Sequence, residues 1–424
     1  RIGKNRKNNS IYGADFKEIL LKITDNEMQS VIRLMFALLA DGTELTKLNT
    51  NEIGGFFRSD DTEAGKTTEA VAEKLFKLSA AFDCSHLVGL SLHKNDLLSD
   101  GEIKRKFESQ IRLALFRYET QNAELDAIKE VFEKNDIDFI PLKGAVIRNY
   151  YPEPWLRQSC DIDILVKETD VLRAINALEK ELGYNTKSKN YHDYALFSES
   201  GVHLELHFNI KENTDKLDEI LKNAWNYACQ KDEKSNEYVF SNEFLLFHLY
   251  AHTAYHFLNG GCGIKPVLDD FILKNKLDYD EKELNELLAA GGIKEFADKI
   301  GQLGKVWFLN EEHSELTQAM EKYILSGGVY GSGKNKTVVL RTEKKGKTRS
   351  IASRLWLPYK NLVIEYPSLK GKRILQPFYE FLRWCRLFKK DVRKRTFAEI
   401  RSNAETDEKT VQETEKMLKE LNLK

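Results

Sequence analysis

The chain has 424 residues, 42% hydrophobic and 31% charged, the make-up of a packed globular protein; it excludes a disordered or collagen-like chain. Its 65 Lys and Arg against 66 Asp and Glu leave a formal net charge of −1, so whole-chain electrostatics argue neither for nor against a nucleic-acid partner. Cys84, Cys160, Cys229, Cys262 and Cys385 are scattered and never form a CxxC pair, which excludes a disulfide framework or a zinc ribbon.

No apolar run approaches the length of a membrane span, so no membrane partner is expected. The opening RIGKNRKNNS is not a basic-then-apolar leader, and the cytoplasm is the expected compartment. Residues 1–66 read as a helical extension (14–40) with a polar linker (41–68). Helical periodicity returns over 69–95 through Val71, Leu75, Leu78 and Phe82. Over 101–135 a long helix is expected, its stripe formed by Phe107, Ile111, Leu115, Tyr118, Leu125, Ile128 and Phe132.

The texture then changes. FIPL (139–142) is a short apolar run ending at Lys143-Gly144, AVIRNYY a short helix, and DIDILV (161–166) alternates acid and apolar as a strand does. An amphipathic helix over 168–182 stops at Gly183. YALFS and VHLELHFNI (202–210) read as two more strands turning at Gly201. The expected organisation is 1–66, a helical region 67–133, a compact core 134–212, a helical domain 213–330, and 331–424. That last part holds a basic loop, an aromatic segment and a charged helix from about 389, read as a solvated arm.

Asp161 and Asp163 lie two apart, and on a strand such positions share a face. Paired ionised carboxylates repel each other and raise each other's pKa, which a fold accepts when a divalent cation lies between them. Glu205 supplies a third acid, on a strand where His203, Glu205 and His207 share one face. If this strand pairs with 161–166, three carboxylates converge, enough for two cations that activate a hydroxyl and steady a leaving pyrophosphate. Lys143 and Gly144 form a turn suited to phosphate, by charge and by close backbone approach. Arg157 adds a second positive charge. Taken singly, a DxD is the wet face of a sheet and a Lys-Gly an ordinary turn; the order of elements within 70 residues carries the reading.

LKGAVIRNYYPEPWLRQSCDIDILV followed by VHLELHFN resembles the uncharacterised nucleotidyltransferase family of the DNA polymerase β-like superfamily. The resemblance extends through HLYAHTAYHF, GIKPVLDDF and EYPSLKGKRILQPFYEFLRW and is weakest over 1–66. It implies an α+β fold, with a small mixed-sheet, polymerase β-like palm core flanked by mostly helical regions. It also implies transfer of a nucleoside monophosphate, with AMP from ATP expected, to an acceptor hydroxyl, using Mg²⁺ or Mn²⁺. Asp161, Asp163 and Glu205 are then the catalytic and metal-binding residues, and Lys143, Gly144, Arg157 and Lys265 the nucleotide-binding ones. His207, His252 and Asp269 stand behind them. The acceptor stays open: a small molecule, a protein or an RNA end. Where the superfamily has Gly-Ser or Gly-Gly, this chain has Lys143, Gly144 and Ala145, so either Lys143 replaces the serine contact or nucleotide binding is weakened. A rival reading follows, a nucleotide-binding scaffold that has lost turnover.

His248, His252 and His256 recur every four residues on one helical face. They suggest a helix beside the acids, with a zinc site as a further alternative. The Asp269-Asp270 pair is read as an active-site contribution or a surface salt bridge. GVYGSGKN (328–335) fits G-x-x-x-x-G-K but has Asn335 where Ser or Thr should stand; it reads as a flexible loop. The basic stretch from Lys334 through Arg341 to Arg349 is a candidate hairpin turning at Lys345-Gly346. It would be a solvated loop or would steer a polyanion.

Overall fold

A computed structural model describes Ile32 and residues 69–212, 214–309, 311–329, 331–344, 356–359, 362–363, 366–385 and 406–424. The N-terminal extension and linker expected over 1–66, apart from Ile32, lie outside these residues, as does the expected turn at Lys345-Gly346. The chain divides into two compact units, 1–252 with 264–313, and 253–263 with 314–424.

The first unit opens with α1 (Glu69–Ala81), α2 (Ser85–Lys94) and α3 (Glu102–Lys134), so the periodicity over 69–95 is two helices. Asp83, at φ 55°, lies in the break between them. The apolar stripe of α3 is buried at Phe107, Leu125, Ile128 and Phe132. In its middle the stripe turns outward, with Leu115 37% and Phe116 65% exposed, while Ala114 and Gln121 are the buried residues there. Gln158 donates to the Ala114 carbonyl and Gln121 to the Ser159 carbonyl, so the helix middle packs on the loop at 158–159 through polar contacts.

Next come β1 (Phe139–Pro141), α4 (Gly144–Ile147), β2 (Ile162–Val166), α5 (Val171–Leu182), β3 (Asn185–Lys189), β4 (Asp193–Phe197) and β5 (His203–His207). The five strands form one sheet in the order β1-β2-β5-β4-β3. β2 and β5 run parallel while the other pairs are antiparallel. The result is a mixed α+β core, as expected. Gly183 ends α5 in the left-handed region, where a missing Cβ removes the steric penalty. β3 escapes sequence reading because NTKSK is a polar edge strand, exposed along most of its length.

One face of the sheet is the core. Ile162, Ile164 and Val166 of β2 with Leu204 and Leu206 of β5 pack against Ile128 and Phe132 of α3 and Ala174 and Leu178 of α5. Burying that face fixes the register, because a one-residue slip would turn every apolar side chain outward. The alternate residues are thereby committed to the other face.

α6 (Asp215–Leu221) follows, then a ribbon of β6 (Ala228–Gln230) and β7 (Tyr238–Phe240). The ribbon is an addition to the mostly helical region expected over 213–330: three-residue strands carry too little periodicity to read. α7 (Asn242–Leu258), α8 (Lys265–Lys276), α9 (Glu281–Gly291) and α10 (Lys294–Leu309) come next.

The second unit contains α11 (Glu315–Gly327), α12 (Gly333–Lys344), α13 (Gln376–Cys385) and α14 (Glu408–Glu420). Three expectations are corrected here. The segment 333–344 is helix, not a hairpin strand. Arg341 is buried, donating to the Thr406 carbonyl and pairing with Glu408, so it is not a solvated charge. α14 is no solvated arm over its described length, since Val411, Thr414, Met417 and Leu418 are buried on the side facing α11 and α12. Among the described residues no helix is long and apolar enough to cross a membrane.

Candidate active site

The site occupies the face of the sheet opposite the core. Asp163 stands directly across from Glu205 in the parallel β2–β5 register. Asp161 is the residue just before β2, and His203, Glu205 and His207 alternate along β5. Two overlapping groups result. Asp161, His203 and Glu205 bring one ligand-type atom each within 4.8 Å of one another, and so do Asp163, Glu205 and His207. The three expected acids do converge.

Lys143 points into this cluster. β1 ends at Pro141, and the Leu142 N–H is donated to the Asp163 carbonyl at 2.9 Å. The chain then reverses at Lys143, with φ 45° and ψ −114°, a strained backbone for a non-glycine residue, costing on the order of 1–3 kcal/mol. The turn delivers Nζ to Asp163 Oδ1 at 3.0 Å. His207 Nε2 lies 2.9 Å from the same oxygen and 3.7 Å from Glu205 Oε2.

The electrostatics are lopsided. Burial alone would raise the Asp163 carboxyl, but Lys143 and the bond from His207 overcome it and hold Asp163 well below the usual carboxylate range. Burial, then Asp163 and Asp161, push Glu205 up to about 8. Burial and Asp163 likewise raise Asp161, although Ser159 Oγ donates to it. Burial would lower Lys143, yet Asp163, Glu212 and Glu205 raise it, so it stays an ammonium. Burial pushes the His207 imidazole down. Three carboxyls crowd one ammonium in a half-buried site, and the crowding pushes two of them toward their neutral form. A divalent cation would relieve that crowding, and ligand-type atoms are already gathered for one.

Around the acids lies a ring of polar contacts. His252 Nδ1 is 2.8 Å from Glu212 Oε1, and burial together with Lys143 keeps His252 and His248 neutral, His248 down to about 3. Among the described residues no metal-type group includes His248, His252 or His256, so the zinc alternative has no ligand set there. On β4, Asp193 pairs in register with His207, and the His192 ring stacks on His207 at 5.4 Å.

Other expected residues are committed elsewhere. Arg157 grips Asp269 in a fork, Nε to Oδ1 at 3.0 Å and Nη2 to Oδ2 at 2.8 Å, and the Tyr151 hydroxyl donates to Oδ1 at 2.7 Å. Asp269 is 1% exposed, so the surface salt-bridge reading is corrected to a buried one. Asp270 is equally buried and accepts from the Tyr250 hydroxyl. Lys265 Nζ donates to the Gln158 carbonyl at 3.1 Å and lies 3.4 Å from Asp83; its described partners do not include the acids. Gly144 is buried, and a Cβ there would meet Arg157 Nη1 at 2.7 Å and Ser159 Oγ at 2.9 Å. The amides of Ala145, Val146 and Ile147 are bonded to the carbonyls of Leu142 and Lys143. Glycine at 144 thus lets the Arg157 and Ser159 side chains close over the turn.

Sequence reading missed Glu212, His192, Asp193 and Tyr151. Asp193 could have been found as the acid opening the strand beside VHLELHF. Nothing local in the sequence signals Glu212, whose partner His252 is 40 residues away.

A family model described as an uncharacterised nucleotidyltransferase matches residues 69–308, the stretch that carries every site residue above. No curated protein and no solved structure matches the chain.

Proposed function

This chain belongs to the uncharacterised nucleotidyltransferase family, and we propose that it transfers a nucleoside monophosphate, AMP from ATP, to an acceptor hydroxyl. The hydroxyl oxygen attacks the α-phosphorus, the bond to the bridging oxygen breaks, and pyrophosphate leaves. The observation that carries the reading is the pairing of Asp163 with Glu205 across parallel strands, with Asp161 beside them.

Asp161, Asp163 and Glu205 would hold Mg²⁺ or Mn²⁺. When bound, such cations supply Lewis-acid activation of the hydroxyl and neutralise charge on the leaving group. Glu205, on the strand beside Asp163, is placed to help take the hydroxyl proton once a cation has activated the hydroxyl. Lys143, charged beside Asp163, offers the triphosphate a cation next to the acids. Arg157, held by Asp269, shapes the turn through its contact with Gly144. The core at 134–212 does the chemistry in this reading, and the helical segments around it select the acceptor.

The test is incubation of the full chain with each α-labelled nucleoside triphosphate, a divalent cation and fractionated cell extract. Label transferred to an acceptor, dependent on Asp161 and Asp163, supports the reading. Nucleotide binding without transfer or pyrophosphate release, in every fraction and with every base, would leave the scaffold reading instead.

A further inference from the structure

We propose that each of the two cation positions in this site is completed by an imidazole, His203 in one and His207 in the other, with Glu205 shared between them, so that the site selects Mn²⁺ over Mg²⁺. This rests on the metal-dependent reading above and specifies its metal.

Of the three ligand-type groups among the described residues, one joins His192, Asp193 and His207, and the two that contain Glu205 repeat one pattern. Each takes one aspartate from the β2 stretch, one histidine from β5, and Glu205: Asp161 with His203, and Asp163 with His207. The repeat follows from strand geometry. A two-residue step along β2 moves from Asp161 to Asp163, and the same step along β5 runs from His203 through Glu205 to His207, all on one face. The parallel register sets Glu205 opposite Asp163, the middle place on β5, where one carboxylate reaches both positions.

Donor chemistry decides which ion such positions favour. Mg²⁺ takes oxygen ligands, keeps several waters and seldom accepts imidazole. Mn²⁺ accepts carboxylate and imidazole together, as the later first-row ions also do. An all-oxygen site would have no use for two histidines flanking the shared acid.

His207 carries an independent sign. It is 2% exposed, and its Nδ1 is buried without a hydrogen-bond partner. Nε2 lies 2.9 Å from the Asp163 carboxyl, while Nδ1 is left as a buried polar atom without a partner, which native proteins rarely leave. Ligation through Nε2, the nitrogen that faces Asp163 and Glu205, removes the orphan: the ring proton moves to Nδ1, where Asp193, the register partner of His207, can accept its hydrogen bond. A carboxylate behind a metal-bound histidine is the usual outer arrangement.

The test uses the full chain stripped with chelator. Calorimetric titration is expected to show Mn²⁺ binding on the order of tenfold or more tighter than Mg²⁺. His203→Gln should weaken Mn²⁺ about tenfold while leaving Mg²⁺ within about twofold. Electron spin-echo spectroscopy of the Mn²⁺-loaded wild type should show directly bound imidazole nitrogen, a signature that a structural histidine would not give. This readout needs no variant, so a misfolded His207→Gln protein does not affect it. An exchange-coupled Mn²⁺ pair that becomes isolated ions in Glu205→Gln is expected from the shared carboxylate. Equal binding of Mn²⁺ and Mg²⁺ with no bound nitrogen overturns this inference and leaves the metal-dependent reading standing. Absence of binding by either ion, with and without ATP, overturns both.

Discussion

Asp163 and Glu205 are partners across the parallel β2–β5 pair, yet their charges are balanced unequally. Asp163 has Lys143 and His207 within hydrogen-bonding distance, while burial and the two aspartates push Glu205 up to about 8. The cation-free protein therefore holds a carboxylate that its surroundings disfavour. Glu205→Gln keeps the shape and removes a carboxyl that folding forces toward its neutral form, so at neutral pH without divalent ions it should melt above wild type, by about 2–4 °C for each kcal/mol gained. The rise that Mn²⁺ or Mg²⁺ with ATP gives wild type, as any ligand of the native state does, should be smaller in the variant, which keeps the aspartates but loses the shared carboxylate. A melting scan that finds Glu205→Gln less stable than the stripped wild type would show that Glu205 is a structural acid.

Lys143 serves Asp163 in the structure, and the proposal gives it the triphosphate as well. Lys143→Ala should weaken ATP binding by about 1.5–3 kcal/mol, the usual loss for a hydrogen bond to a charged group, and weaken AMP binding much less. Fluorescence titration with both nucleotides separates the cases. Equal losses for the two would confine Lys143 to balancing the acids.

The acids were legible because alternation of acid and apolar residues in DIDILV and VHLELHF announces both the strand and the face. The pairing of those strands supplied the rest of the cluster, as expected. What stayed hidden depended on distant partners or on local strain. The Arg157–Asp269 fork joins residues 112 apart in sequence, so each looked like a free charge. Lys143 reads as a phosphate-facing turn residue, and only its positive φ turns the side chain onto Asp163. The NTKSK edge strand and the short β6–β7 ribbon have no apolar rhythm to detect. In α14 a run of Lys and Glu masked Val411, Met417 and Leu418, which the helix turns inward.

His86 sets a pH limit on stability. It is 5% exposed, its Nε2 lies 2.8 Å from the Leu156 carbonyl, and burial pushes it down to about 4, partly countered by that bond. In the unfolded chain it titrates near 6.5. Between those values the unfolded state takes up a proton that the folded state refuses, so stability is full above about 6.5 and falls as the pH drops toward about 4. The slope from one such group is about 1.4 kcal/mol per pH unit at most. His86→Gln keeps a donor for Leu156 and cannot titrate, so urea unfolding at pH 7 and pH 5 should show a smaller acid loss than wild type. An identical loss would move the acid sensitivity to other groups such as His248.

The GVYGSGKN segment is the clearest separation of motif from function, and a pair of variants tests it. It packs as backbone against the glycines of 260–263. Ser332 N–H is donated to the Gly260 carbonyl at 2.9 Å, and Gly331 has φ +79° with space for a Cβ only 2.6 Å from the Gly260 carbonyl carbon. Asn335, in the place of the magnesium-binding hydroxyl, is instead buried, donating to the Tyr323 carbonyl and to Ser326. The segment's described residues, 328–329 and 331–335, thus run against 260–263 and lead into α12. Gly331→Ala should cost stability twice, through the left-handed backbone and through a clash that only backbone movement relieves. The expected loss is on the order of 2–4 kcal/mol by chemical denaturation. Lys334→Ala should leave both stability and ATP affinity unchanged, because Lys334 is exposed and the segment before it runs against protein backbone. A loss of ATP affinity in Lys334→Ala, with Gly331→Ala as stable as wild type, would restore this segment as a phosphate loop and remove the packing role assigned to it here.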